Sequence, residues 1–318
     1  KSWTRAQATT GGLARRILRY RQGVAPAESL LALQAVTPER LVAIVPQVTL
    51  AEARKLIAAV HRGESVAASS AVRRTSADAV RIAGSVPALA VVAETASRID
   101  PFVKYLLESD GTRFETVRIP LEDPDRFTVC VSSQVGCALG CTFCATGRLG
   151  LSRNLAAWEI VEQVRVVRAR LSRGRVHGVV FQGMGEPLAN TDAVLDAIAV
   201  MMEPCALGID ARAITVCTAG LPSGIRRLAL EAPKVRLGLS VSSAIAAHRK
   251  RVMPIADRHE LDEVIEAVAF HARTTGHAPM WAVTLLDGVN DSDADAAALV
   301  ERATAFAAAT GVRPRISI

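Results

Sequence analysis

From about Leu121 onward the apolar residues change spacing in a regular alternation. Short runs rich in Val, Ile and Thr give way to longer stretches in which Ala, Val, Leu and Ile recur every third or fourth position. A run of the first kind fits a strand and one of the second an amphipathic helix. Their repeated alternation is the pattern of a parallel sheet built from βα units. The strand candidates are RFTVCVSS, VHGVVFQGMG, AITVCTAG, VRLGLSVSS, PMWAVTLL and RPRISI. Between them fall the helical stretches LAAWEIVEQVRVVRARL, NTDAVLDAIAVMM, PSGIRRLALEA, ELDEVIEAVAFHARTTG and SDADAAALVERATAFAAATG. Gly174, Gly276 and Gly311 stand where helices should end, because a left-handed C-cap is least strained without a Cβ. Six strands and five helices predict an α/β fold, a partial (βα)6 barrel rather than a closed eightfold one.

Residues 1 to about 98 read differently, as an alanine-rich accessory domain that is helical throughout. Thr49 with Glu52 makes a capping box ahead of ARKLIAAVHRG, and SSAVRRTSADAV reads as a linker or a broken helix. Residues 99–120 predict a β-hairpin extension, FVKYLLES and TRFETVRIP, turned at Asp110-Gly111, a type I′ signal. The barrel then occupies 121–318. The chain opens on Lys1 rather than Met and stops on its sixth strand with no helix after it, so the natural sequence is expected to continue at both ends.

Composition adds a partner. The chain has 318 residues, 50% hydrophobic and 22% charged, enough for one large core and a small appendage. Its formal charge of +7 favours an anionic partner, for which nucleic acid is the usual choice. Basic residues cluster in ARRILRYR, in VRVVRARLSRGR and in HRKR from His248 to Arg251. Each cluster alone also fits a solvated helix face. Tyr20 in the first is a candidate stacking group for a base. The apolar runs, SVPALAVV among them, are too short to cross a bilayer.

The chemistry is concentrated in CALGCTFC, which places three of the six cysteines, Cys137, Cys141 and Cys144, within eight residues. Three thiolates from one loop bind soft metals, and short spacings let the backbone curl round a cluster. A closed zinc site wants four ligands, usually as two separated pairs. Neither Cys205 nor Cys217 stands in a second C-x-x-C, and no His lies in the loop. A 4Fe-4S cluster on three cysteines leaves one iron open to a small molecule. The loop follows the first barrel strand, at the end where βα loops carry chemistry. The plain alternative is three buried structural cysteines, but Gly136, Gly140 and Gly147 mark an irregular loop instead of a packed element. Few, clustered cysteines suit a reducing cytoplasm better than a disulfide scaffold.

The spacing C-x-x-x-C-x-x-C after a first strand resembles the radical S-adenosylmethionine (SAM) superfamily. Three longer stretches in order, CVSSQVGCALGCTFCATGRLGLSRNL, FQGMGEPLANTDAVLDAI and LLDGVND, resemble its RlmN/Cfr family of adenine methyltransferases, over a span from about Phe102 to the end. The resemblance implies a 4Fe-4S cluster on Cys137, Cys141 and Cys144. It implies SAM contacts from Gly185, Glu186, Cys217, Ser240, Ser242 and Asn290. Two of these depart from the family, which usually carries Ser at 217 and His at 242. A Cys fits a Ser-sized space but is a poor hydrogen-bond donor. On spacing alone, these polar loop residues would read as loop caps. The resemblance also implies that Glu115 removes a proton from the substrate base and that Cys130 is the thiol resolving a covalent enzyme–RNA intermediate. Without it, Glu115 reads as a solvated strand residue and Cys130 as an inert one. Trp281 stands where the family tends to carry an acid and reads as packing. Cys205 matches no role.

The implied function is methylation of an adenine carbon, C2 or C8, in large-subunit ribosomal RNA, with transfer RNA as a further candidate. In the family the cluster reduces SAM to release a 5′-deoxyadenosyl radical. That radical takes hydrogen from a methyl group first placed on a cysteine near the C-terminus. The cysteine lies past the sixth strand, so a last helix and a cysteine-bearing segment are expected beyond Ile318. An electron donor such as flavodoxin or ferredoxin, a monomeric state, a cytoplasmic location and no membrane association complete the expectation. Two other readings stay open: a radical SAM enzyme acting on a small molecule or peptide, and an Fe-S RNA-binding module with degenerate chemistry.

Overall fold

The computed structural model describes residues 30–66 and 72–318. Its first helices are α1 (Pro38–Ile44), α2 (Leu50–Arg62) and α3 (Arg74–Ala83). The capping box of α2 is present: the Thr49 hydroxyl accepts the Glu52 amide, and the Glu52 carboxylate accepts the Thr49 amide at 3.0 Å. The same carboxylate takes two hydrogen bonds from the Arg73 guanidinium, at 2.8 and 2.7 Å, which ties α2 to the start of α3. SSAVRRTSADAV is therefore helical in its second half; residues 67–71 lie outside the described residues, as does the basic run containing Tyr20.

The reading of residues 1–98 as helical throughout is corrected at Ala90–Ala96, which is a strand, β1. It pairs antiparallel with β2 (Val103–Ser109) through an irregularity between Val91 and Ala93. Alanine favours helix in isolation, but here pairing with a formed neighbour decides. β2 and β3 (Thr112–Pro120) form the expected hairpin, with Asp110 at φ 48° and Gly111 at φ 70°, both left-handed as a type I′ turn requires.

The βα units follow in the expected order. β4 (Arg126–Cys130) leads to a small antiparallel pair, β5 (Gln134–Gly136) and β6 (Leu151–Asn154), with the one-turn α4 (Ala145–Arg148) between them. Then come α5 (Ala157–Ala169), β7 (Arg175–Phe181), α6 (Thr191–Met202), β8 (Ile214–Thr218), α7 (Pro222–Glu231) and β9 (Arg236–Ser240). The remainder is α8 (Ala246–Val252), α9 (Leu261–Thr275), β10 (Met280–Ala282), α10 (Asp293–Thr310) and β11 (Arg315–Ser317). Among the described residues one nine-stranded sheet runs β11-β10-β9-β8-β7-β4-β3-β2-β1. The six strands from β4 to β11 are parallel, and β1 to β3 extend the sheet antiparallel from β4. Gly276 and Gly311 are left-handed C-caps as expected. Gly174 is not: α5 ends at Ala169, and Gly174 turns the chain into β7, where a Cβ would lie 2.4 Å from the Asp125 carbonyl oxygen.

Register divides the parallel strands into two faces. Val129, Val179, Phe181, Val216, Leu237, Leu239 and Trp281 are all buried on the helix-covered face. Trp281 packs edge-on against Phe306 of α10 with ring centroids 5.3 Å apart, as its packing role predicts. The opposite face carries Cys130, Val180, Thr215, Cys217, Gly238, Ser240 and Met280. Its small and polar side chains suit a concave surface that receives ligands.

Candidate active site

The strands β4, β7, β8, β9 and β10 all point their C-terminal ends to one rim, and the loops there gather the chemistry. The cysteine loop is clamped at its base by β5 and β6. Gly136 has φ +79°, and a Cβ there would stand 1.8 Å from the Gly150 carbonyl oxygen, so the position demands glycine. Beside it the Cys137 amide donates to that same oxygen at 2.9 Å. Gly147 folds back until a Cβ would approach the Cys141 backbone at 3.1 Å. The Thr142 amide donates to the Val252 carbonyl at 3.0 Å, fastening the loop to the end of α8. Cys137, Cys141 and Cys144 are half-buried, and burial pushes the Cys141 thiol up to about 11.

The GMGEP turn after β7 locks against this loop. Gly185 has φ +98°, with space for a Cβ filled by the Gln134 side chain at 2.5 Å. Gln134 accepts the Glu186 amide at 2.8 Å and donates to Asn154 at 2.8 Å, joining the turn to β5 and β6. Glu186 is buried, and its carboxylate accepts the amides of Leu188 at 3.0 Å and Ala219 at 2.8 Å. Burial raises its pKa, and its charge acts on Cys137, Cys141 and Cys217. One carboxylate thus joins the ends of β7 and β8.

Cys130 lies beside Val180 on the concave face, and Cys217 lies on the same face two residues beyond Thr215, the other neighbour of Val180. Burial pushes them up to about 11 and about 12, so both are thiols at neutral pH. Cys217 lies 3.9 Å from the Gln182 carboxamide oxygen, a weak contact where a hydroxyl would bond more firmly. Ser240 ends β9 on the same face. Ser242 is buried and left-handed at φ 57°. Its carbonyl is held by the Asn290 amide nitrogen, which also donates to the Thr284 carbonyl at 2.8 Å. The Asn290 oxygen accepts the Leu286 amide at 2.7 Å. Asn290 therefore staples the loop after β10 to the one after β9, and its polar atoms are directed at backbone.

Glu115 reaches the concave side from the hairpin. Val117, two residues on, pairs with Cys130, so Glu115 shares their face. Its carboxylate pairs with Lys104 at 2.9 Å, both half-exposed. Two residues absent from the sequence reading hold the hairpin there. The buried Ser132 hydroxyl donates to the Glu115 carbonyl at 2.5 Å and accepts the Met184 amide at 2.9 Å. Arg153 grips Glu159 through two hydrogen bonds, at 2.8 and 2.7 Å, and reaches Thr112 at 3.1 Å and the Ser109 carbonyl at 3.2 Å. The tell-tale in sequence was the VSSQVG stretch, whose buried Ser and Gln are polar for this reason.

Comparison with known proteins then decides the family. Residues 131–300 match the radical SAM superfamily. A probable RNA methyltransferase of Sorangium cellulosum is 58% identical over 279 residues, covering 85% of this chain and 71% of that protein. The chain belongs to the radical SAM superfamily. Among its relatives there, a dual-specificity RNA methyltransferase RlmN of Syntrophobacter fumaroxidans is 46% identical over 200 residues, 62% of this chain and 58% of that one. The crystal structure of a radical SAM methyltransferase from Sphaerobacter thermophilus superposes with a TM-score of 0.76 at 31% identity, over 90% of this chain and 95% of that one.

A radical SAM enzyme uses a 4Fe-4S cluster and SAM, and the residues here fit the cluster. Among the described residues, no three Cys, His, Asp or Glu side chains converge on a single metal ion. A cubane does not ask this, because each thiolate holds a different iron and the three stand farther apart. The close backbone approaches at Gly136 and Gly147 keep the loop that carries the three cysteines curled.

Two of the three basic runs lie among the described residues. Arg165 pairs with Glu162 at 2.9 Å and donates to the Val60 carbonyl, Arg170 lies 3.6 Å from Glu94, and Arg173 lies 3.4 Å from Asp125. This run sits at the end of α5, beside the N-terminal ends of the strands, so it braces the fold opposite the active rim. Arg249, read as a candidate RNA contact together with Arg251, is 1% exposed; only Arg251 of the two is exposed. Cys205 lies away from the rim on the loop after α6, near Glu39. No described helix is long and apolar enough to cross a membrane.

Proposed function

We propose that this radical SAM enzyme methylates an adenine carbon, C2 or C8, in large-subunit ribosomal RNA, with transfer RNA as a further substrate, through a methyl-carrying cysteine. The observation that carries the reading is the shared face: Glu115, Cys130, Cys217 and Ser240 lie on one concave surface beneath the cysteine loop. The names of the relatives, which speak of RNA, support the substrate class. When bound, the cluster and SAM supply a carbon-centred radical, the reagent an unactivated aromatic carbon requires.

The chain's own groups supply binding and proton transfer. Gly185 and Glu186 lie at the rim between β7 and β8, where the methionine part of SAM would lie beside the cysteine loop. Glu115 is the base that takes the ring proton, and Lys104 orients it until substrate arrives. Cys130 is the thiol that frees the product, and its raised pKa means that it must lose a proton as it attacks. A low-potential one-electron donor of flavodoxin or ferredoxin type, a monomeric state and a cytoplasmic location complete the proposal.

The test compares RNA from cells with and without the protein by mass spectrometry. A methyladenosine that depends on the protein is expected. Anaerobic incubation that yields 5′-deoxyadenosine while RNA stays unchanged would redirect the activity to a small molecule or peptide. No 5′-deoxyadenosine at all would leave an Fe-S RNA-binding module.

A further inference from the structure

The buried Arg249 has no use in fold or mechanism that its surroundings explain in full. It projects from α8 beneath the cysteine loop, 1% exposed. Its Nη1 donates to the Ser240 carbonyl at 2.7 Å and to the Val241 carbonyl, and its Nη2 donates to the Ala219 carbonyl at 2.6 Å. All three acceptors are neutral, and the Nε is buried without a partner. Among the described residues no carboxylate forms an ion pair with it. A cation so placed carries a desolvation penalty that carbonyl dipoles offset only in part. Burial brings its pKa down to about 10, which still leaves it charged at neutral pH.

The segment that carries Arg249 is the one the cysteine loop packs against. Val252, Met253 and Ile255 of the same segment pack with Ala219 and with Leu139, Cys141 and Phe143 of the loop. The Thr142 amide is bonded to Val252, three residues along α8 from the arginine. Arg249 is thus fixed to the ends of β8 and β9, on the helix to which the cysteine loop is fastened. Only a guanidinium reaches three carbonyls in this fork while keeping its charge.

We propose that Arg249 is a positioning residue, the fixed counter-cation of the 4Fe-4S cluster, which favours its one-electron-reduced state. The proposal rests on the assignment of Cys137, Cys141 and Cys144 as cluster ligands. With three thiolates the oxidised cluster has a net charge of about −1, and a low-potential donor adds one electron to make it about −2. No proton moves and no bond breaks in this step. A fixed positive charge lowers the energy of the more negative state, as the preorganised setting of its three carbonyl bonds allows without rearrangement.

The test uses the full chain, reconstituted anaerobically, as wild type, Arg249→Gln and Arg249→Lys. Iron and sulfide content come first, so that loss of the cluster is told apart from a change in its potential. A redox titration followed by electron paramagnetic resonance, without SAM, then reads the reduced fraction. At a fixed potential the ratio of reduced to oxidised cluster is expected to fall about tenfold in Arg249→Gln, a shift of about 59 mV to the negative for a one-electron couple. Arg249→Lys, whose charge is retracted, should shift the same way and less, and it decides the matter if the Gln variant does not fold. A folded, fully loaded variant with unchanged potential overturns the proposal and leaves Arg249 a clamp on the strand ends. Unchanged potential with weakened SAM binding in equilibrium dialysis also overturns it, and assigns the free Nε to the SAM carboxylate.

Discussion

The two faces of the parallel strands are written by alternate residues of the same segments, yet they hold opposite properties. The helix-covered face is Val, Leu, Ile, Phe and Trp at near-zero exposure, whereas the concave face is Cys, Thr, Gly, Ser and Met with a single Val, Val180. Burying the first set drives folding, at roughly 25 cal/mol per Å² of apolar surface. The second set contributes little of this and instead leaves room, thiols and hydroxyls. The contrast teaches that stability and chemistry are separable by parity along each strand.

The most complete break of that separation is at the rim. Cys137→Ala, Cys141→Ala or Cys144→Ala, each taken singly, should abolish cluster incorporation and SAM cleavage while the circular dichroism stays that of a folded protein. Zinc bound in place of iron after anaerobic reconstitution would sink the cluster assignment. Next come paired changes on the two faces. Phe181→Ala on the covered face is expected to cost about 3–5 kcal/mol in chemical denaturation. Glu115→Gln on the concave side should cost less than about 1 kcal/mol, since its pair with Lys104 is half-exposed. Its transfer of methyl label from SAM to RNA should nevertheless drop by about 10²–10⁴-fold. Label entering RNA at the wild-type rate would remove Glu115 from the mechanism.

A smaller effect concerns pH. His61 lies buried on α2 against α5, where burial first, then Arg165 and Arg168, lowers its pKa from 6.5 to about 3. The unfolded state takes up this proton below about pH 6.5 and the folded state only near 3. Its share of stability is therefore whole above pH 6.5 and is lost as the pH falls toward 3. Denaturation midpoints for wild type and His61→Phe should diverge across that window, by on the order of 1–3 kcal/mol, with the variant flatter. Parallel curves would show that the ring is hydrated. The smallest expected effect is at Trp281, whose indole N–H is buried without a partner. Trp281→Phe removes that donor and should change stability by less than about 1 kcal/mol, against several for Trp281→Ala.

Much of this is legible in the sequence alone. The parallel strands and their helices declare themselves by period, the hairpin by Asp110-Gly111, and the cysteine loop by spacing. Elements with weak local signals were not legible. β1 is alanine-rich and takes its form from β2, and β5 and β6 are too short to show a period. Arg249 sits in a run of four basic or aromatic-ring cations, HRKR, that reads as a solvated face. Its burial depends on carbonyls 30, 9 and 8 residues away, at Ala219, Ser240 and Val241, which no local window contains. Ser132 and Gln134 were likewise polar residues whose partners lie across the fold.

The anchoring of the hairpin bears on how the site moves. Its tip is held by Arg153, its middle by Ser132, and the Thr116 hydroxyl donates to the Cys130 carbonyl at 2.7 Å. A two-residue turn leaves no slack between its arms. Such a piece behaves as a wall and not as a flap. Its amides should exchange with deuterium only on the time-scale of global opening, and turnover should carry no millisecond gating contribution from this side. Whatever motion lets a polymer reach the concave face must come from another part of the rim.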